Sequence, residues 1–217
     1  MYHFPNATAL LGINEIAPDV FAVVVGIVNP PTLVAGSFSV WEVDLRTFEA
    51  DKHGNVLRNA TDSQITAIPE AALLNGLVPL PGTPFILIAD PGLAVVWRVN
   101  DKTAVYTQVL SSYLMTPPEG TVLGINRIHI FTTYLYFTNT LKGLFGKVPI
   151  QLLGDNAGTA TGDYSLVVRN GEGDDVTFDR NGNADSAQNF DNVAQLITQD
   201  GTVSVIAGSK NSTVLEF

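Results

Sequence analysis

The sequence predicts an all-β protein, and more narrowly a β-propeller whose blades each hold four antiparallel strands. Three observations predict it. Val, Ile and Thr supply 57 of the 217 residues, whereas Lys, Glu and Gln supply only 18. Side chains branched at Cβ are stiff in helices and pack well on a pleated surface. The 19 Gly and 12 Pro fit a chain that reverses direction many times. Four segments also repeat one order of strands and turns, with equivalent positions at Gly12, Gly76, Arg127 and Asp175, spaced 64, 51 and 48 residues apart. Four short strands at such a period describe a propeller blade.

Residues 1–217 are read as a single propeller domain with blades over about 11–67, 75–110, 126–168 and 174–207. The first opens on Leu11-Gly12-Ile13, continues through apolar strands at 20–25 and 37–43, and ends at 65–67. Its greater length comes from an insertion between Asn29 and Gly36 and a loop from Ala50 to Asp62. The second runs from Asn75-Gly76-Leu77 through 85–90 and 94–99 to 104–110. The third runs from Asn126-Arg127-Ile128 through 135–138 and 143–148 to 164–168. The fourth has the weakest pattern: Asp174-Asp175-Val176, then 183–185, 193–197 and 202–207. Trp41 and Trp97 occupy matching third-strand positions, which predicts packing between neighbouring blades. Tyr134, Tyr136, Phe137 and Phe145 are read as core in the same way.

Residues 1–10, with Tyr2-His3-Phe4, read as the remnant of a preceding blade. At about 51 residues per blade, a six-bladed ring needs roughly 300 residues, so this length suits about four blades. The chain is therefore expected to be truncated, to close a four-bladed ring alone, or to complete its ring with a second copy. An open ring would leave sheet edges and faces unpaired, which is why homo-oligomers enter the expectation.

Composition excludes several classes. With no cysteine, disulfide frameworks, thiol nucleophiles and Cys-type zinc sites are absent. A net charge of −10 without a basic run argues against nucleic acid and anionic membrane surfaces. The longest apolar run, at 20–28, is too short to span a bilayer. No signal peptide is visible at the N-terminus. Sequons at Asn6, Asn59 and Asn211 keep secretion and glycosylation open, and localisation is left unassigned. There is no Gly-x-Ser-x-Gly elbow, P-loop or dinucleotide fingerprint. His3, His53 and His129 share no motif, and His129 alternates with Ile128 and Ile130, a structural placement. Residues 179–185 look superficially like a calcium loop, but the glycine falls fourth and no Glu stands twelfth. A hairpin turned by Asn181-Gly182 accounts for them.

Equivalent positions of a propeller lie on a ring around its channel. Asn75, Asn126 and Asp174 share one slot, at the entry of the innermost strand of their blades. Two carboxamides and a carboxylate thus meet at the channel mouth, as a ligand site or as turn residues bonding nearby backbone.

The phrases Leu74-Asn75-Gly76-Leu77, Ile88-Ala89-Asp90, Val96-Trp97-Arg98-Val99, Gly124-Ile125-Asn126, Tyr136-Phe137-Thr138-Asn139-Thr140 and Gly173-Asp174-Asp175 occur in order over nearly the whole chain. Together they resemble the regucalcin/gluconolactonase-like six-bladed propellers, specifically a branch abundant in filamentous fungi. That branch includes cofactor-independent hetero-Diels–Alderases of tropolonic sesquiterpenoid biosynthesis. The resemblance implies a pericyclase or cyclase of fungal secondary metabolism, acting on a small apolar substrate of terpenoid or polyketide type. Asn75, Asn126 and Asp174 would then be catalytic, orienting the substrate without a cofactor. The alternatives are a lactonase that uses the same three residues to bind calcium or another divalent cation, and a non-catalytic ligand-binding propeller. In this family a Glu from the first blade completes the metal set. Here that slot is Leu11, and Glu15, four residues on, is the nearest substitute.

Overall fold

The structure, a computed structural model, describes residue 4 and residues 7–29, 32–169, 171–189 and 191–208. Four four-stranded antiparallel sheets follow one another along the chain. The first takes β1 (Ala9–Ala17), β2 (Val20–Gly26), β5 (Ser39–Asp44) and β8 (Thr61–Ala67). Two small hairpins are inserted in its connections, β3 (Val28–Asn29) with β4 (Thr32–Leu33), and β6 (Glu49–Ala50) with β7 (Val56–Arg58). The second holds β9 (Leu77–Pro79), β10 (Phe85–Asp90), β11 (Val95–Asn100) and β12 (Tyr106–Ser111). The third holds β13 (Ile128–Phe131), β14 (Tyr134–Asn139), β15 (Leu144–Pro149) and β16 (Ser165–Val168). The fourth holds β17 (Gly173–Phe178), β18 (Ala184–Gln188), β19 (Val193–Ile197) and β20 (Val203–Gly208). The innermost strands β1, β9, β13 and β17 neighbour one another in turn, as blades arranged around a channel do.

The first sheet starts earlier than the sequence suggests. Ala9 pairs with Gly26 and Leu10 with Val25, so both belong to this blade and not to a preceding one. Tyr2 and His3 lie outside the described residues.

Blades pack face to face, which explains why their middle strands read as unbroken apolar runs. In β10, Ile86 and Ile88 join Ala22, Val24, Phe38 and Val40 of the first blade. Leu87 and Ala89 point the other way and join Leu135, Phe137 and Val148 of the third. Each fully buried Leu, Ile or Phe contributes about 1.5–3 kcal/mol through area removed from water. Between the third and fourth blades the core is smaller and aromatic. Phe178 lies with its ring centroid 4.6 Å from Tyr136 and stacks on Phe131 at 4.8 Å.

A cross-strand pair beside a bulge recurs in every blade. It is Val23 with Trp41, Ile88 with Trp97, Phe137 with Gly146, and Ser186 with Gln195. Each second member immediately follows a register shift in the third strand. The volumes trade off. Where the second blade uses a tryptophan, the third has a glycine whose missing Cβ would lie 2.6 Å from the Phe137 ring. Trp97 is buried against the first blade, as expected. Trp41 departs from expectation: it lies on the face of the first sheet directed away from the second, edge-on to Phe4 at 5.5 Å.

The hairpin tip at 179–183 is a turn stapled by one carboxylate. Asp179 accepts the backbone N–H groups of Asn181 and Asn183 and the Asn183 carboxamide, and Gly182 adopts φ +81°. Asp51 makes the same bonds to His53 and Asn55 in the β6–β7 hairpin. The carboxylate oxygens are therefore committed to the turn.

Candidate functional site

The three slot residues meet. Asn75 Nδ2 donates to Asn126 Oδ1, and Asn126 Nδ2 donates to Asp174 Oδ1 and, at 3.0 Å, to Thr140 Oγ1. The direction is forced. A carboxylate can only accept, so Asn126 must turn its NH2 to Asp174 and its oxygen to Asn75. All three are half-buried. Asn75 Oδ1, one Asn75 N–H and Asp174 Oδ2 take no part in the row.

Strand ends hold the row in place. The Asn75 backbone N–H donates to Ala89 O at 3.0 Å, and that of Asn126 to Thr138 O at 2.9 Å. Asp174 sits in a register shift between Gly173 and Val176, and such a bulge re-aims side chains. Gly76 N–H donates to Asn126 O, and a Cβ on Gly76 would lie 2.8 Å from Arg127 Cα. A Cβ on Gly12 would lie only 2.1 Å from Asn75 O.

Two threonines that sequence reasoning did not single out lock the row from behind. Thr138 Oγ1 accepts Arg127 N–H and donates to Asp174 O at 2.9 Å. Thr140 Oγ1 accepts from Asn126 and donates to Gly173 O at 2.9 Å. Their i, i+2 spacing in Thr138-Asn139-Thr140 was the available signal, because it puts both hydroxyls on one side of the chain. Asn139 points the other way and bonds Leu114 O and Thr116 O. Its counterpart Asp90, fully buried, accepts N–H groups of Ala72, Leu73, Gly92 and Leu93 and the Trp97 indole. Both side chains tether the crossover that delivers the next slot residue.

Other sequence candidates lie elsewhere. Glu15 is no substitute ligand, since its Oε1 accepts the Asp19 backbone N–H at 2.9 Å in a surface turn. Leu11 packs toward the core shared by the first two blades. His129 rests on Phe178, and burial pushes its pKa down, with Asp175 opposing more weakly. Arg127 lies beside the row, its Nε 3.8 Å from Asp175 Oδ2.

The row as bonded does not fit a hard divalent cation. Such ions want six to eight oxygens, several of them carboxylate. Here there is one carboxylate, and Asn126 Oδ1 and Asp174 Oδ1 already accept N–H groups. No group of three His, Asp or Glu side chains gathers among the described residues.

Comparison with solved structures decides the fold. One chain in the crystal structure of a nidogen/laminin complex superposes with a TM-score of 0.65 at 14% identity, over 96% of this chain and 68% of that one. The calcium-binding protein regucalcin from Agrobacterium tumefaciens gives 0.54 at 16% identity, over 95% and 61%. The chain is a β-propeller. Virginiamycin B lyase from Staphylococcus aureus gives 0.52 at 15% identity, over 92% of this propeller and 70% of the lyase. Identities this low carry the fold alone. The propeller spans 61% to 70% of these three chains. No protein-family profile and no curated protein matches the sequence.

Proposed function

We propose that this propeller acts on a small apolar molecule at its channel mouth, as a cofactor-independent cyclase of the hetero-Diels–Alderase kind, with Asn75, Asn126 and Asp174 orienting the substrate. One observation carries the reading: the directional bond row from Asn75 through Asn126 to Asp174. The carboxylate fixes which way the Asn126 amide turns, and the bond to Asn126 Oδ1 fixes the Asn75 amide in turn. The remaining Asn75 N–H can then donate to a carbonyl oxygen of an enone or quinone-methide-like partner as charge builds there. A cycloaddition gains and loses no atoms, so it requires positioning more than acid–base groups. The sequence resemblance to the fungal branch supplies the choice of reaction and a place in fungal specialised metabolism.

The second reading, a divalent-metal lactonase, draws on the calcium-binding regucalcin among the similar structures. A cation would first have to break the Asn75–Asn126 bond. One experiment separates the two: turnover of terpenoid and polyketide precursors and of lactones, with calcium and with chelator, by wild type and Asn126→Ala. Under the cyclase reading, chelator changes nothing, and Asn126→Ala, which leaves the Asn75 donor unaligned, slows cyclisation by up to about 10²-fold, the cost of losing one such donor, with an altered product ratio. Lactone hydrolysis that calcium restores would replace it.

A further inference from the structure

The packing between the first two blades opens into a cleft at the end of the sheets opposite the amide row. The row lies where innermost strands begin; the turns at 82–84, before β10, and 101–102, after β11, lie at the far end. There the first blade's face toward the second turns polar. Glu42 pairs with Ala22, which packs with Val24 and Val40 in the core shared by the two blades. Ile16, Val20, Glu42 and Arg46 form one wall and Pro84, Asp101 and Lys102 the other, around about 540 Å³.

Two carboxylates of this cleft lack committed partners. Asp101 is held in place by its backbone N–H, which donates to Pro84 O at 2.9 Å, and by Asn100 Oδ1, which accepts the N–H groups of Lys102 and Thr103. Its side chain is only 9% exposed, yet Oδ1 is buried and accepts no hydrogen bond. A carboxylate oxygen taken out of water without a donor is costly. The Lys102 ammonium lies 3.0 Å from the other oxygen, but that side chain is 69% exposed and can swing into water. Glu42 makes no hydrogen bond or ion pair among the described residues. Arg46, the cation beside it, is committed through Nε and Nη2 to Asp44.

We propose that this cleft binds an aliphatic diamine. One ammonium group takes Asp101, displacing Lys102 and supplying the donor that Oδ1 lacks. The other takes Glu42, and the methylene chain between them lies along Ile16, Val20 and Pro84. A primary ammonium carries three donors and no acceptor, the complement of two carboxylates with oxygens to spare. Charge-assisted hydrogen bonds of this kind are the strong ones, and a net charge of −10 draws cations toward the protein. The site is separate from the row of Asn75, Asn126 and Asp174 and does not depend on what the row does.

Calorimetry and amide NMR on the whole chain test this, with putrescine and cadaverine as probes and n-butylamine as the singly charged control. The diamines should bind at one saturable site, about tenfold or more tighter than butylamine, as expected for one further charge-assisted bond. The backbone amide signals that move should be those of Thr83, Asp101 and Lys102, with Asn75 and Asn126 unchanged. Asp101→Asn and, independently, Glu42→Gln preserve side-chain shape and should each weaken binding about tenfold or more. Glu42 is part-exposed, so the second variant stands even where the first disturbs its turn. Lys102→Ala removes the competing ammonium and should tighten binding, whereas Lys52→Ala, at an exposed lysine of the β6–β7 hairpin, should not. Absence of saturable binding overturns the proposal. So does equal affinity for butylamine, binding that survives both carboxamide variants, or signals that move at the amide row instead. Equal tightening by the two lysine changes would mark attraction to overall charge only, and overturns it as well.

Discussion

Asp90 shows how one buried carboxylate organises a segment of chain. Five N–H donors converge on it, four from the backbone and one from Trp97. Hydrogen bonds to a charged group are worth about 1.5–3 kcal/mol each, and buried donors left unpaired add their own cost. Asp90→Ala should therefore lower unfolding free energy by at least about 3 kcal/mol in a urea titration, whereas exposed Asp163→Ala should leave it unchanged within about 0.5 kcal/mol. His129 sets a pH dependence of the same sign as the turn carboxylates', but in a higher pH window. Burial holds its pKa below the ordinary 6.5, so the unfolded chain takes up its proton more readily than the folded one. The stability linked to it is complete above 6.5 and is lost as pH falls below that value. His129→Gln should flatten the decline in stability between about pH 7 and 5. Asp51, Asp179 and Asp200, whose turn bonds hold their pKa values below the ordinary 3.8, should still destabilise the variant at lower pH. Of these residue roles, sequence alone revealed the shared slot of Asn75, Asn126 and Asp174, because repeat register fixes it. It did not reveal that the three bond one another, nor that Thr138 and Thr140 hold them, since hydroxyls on strands have many uses and only a neighbouring blade defines theirs.

Among elements, the innermost strands lie closer together than ordinary side chains allow, and glycine makes that possible. Gly76→Ala would put a methyl group 2.8 Å from Arg127 Cα and 2.9 Å from Asn126 O. Both are backbone atoms, so β9 and β13 must separate. The expected cost is about 1–3 kcal/mol, as for other overpacked sites. The Asn75–Asn126 bond should lengthen with it, which the carboxamide NMR signals of the two residues would report. A lost folding transition would be the stronger form of the same result; unchanged stability and signals would show that the strands are free to shift. Strand order was legible in the sequence because turn residues and apolar runs repeat in step. The partner of each face was not. Trp41 and Trp97 occupy equivalent positions, yet Trp97 is buried between the first two blades, whereas Trp41 lies edge-on to Phe4 on the face of its sheet turned away from the second. The β6–β7 hairpin read as loop, since its two strands are only 2 and 3 residues long.

For the whole molecule, stability should fall off along the chain. Large apolar clusters fill the interfaces between the first three blades. The interface before the fourth contains Ser186, Gln188 and Gln195, and the amide oxygens of Gln188 and Gln195 are buried without a bond. In repeat architectures each unit is held chiefly by its neighbours, so the fourth blade should open first. Hydrogen exchange should find amides of β18 and β19 less protected than those of β10, β11 and β14; uniform protection would mean the blades unfold as one. The contiguity of each sheet also bears on synthesis. No strand waits for a partner from a distant blade, and every sheet is built from one uninterrupted stretch of chain. A ribosome delivers about 5–20 residues per second, so each sheet can zip up within seconds of emerging, by local pairing that forms quickly. What must wait is the covering of its outgoing face, until the next fifty or so residues arrive. During that interval Val24, Phe38 and Val40 stand bare, and a chaperone that recognises extended apolar strands would find its briefest opening there.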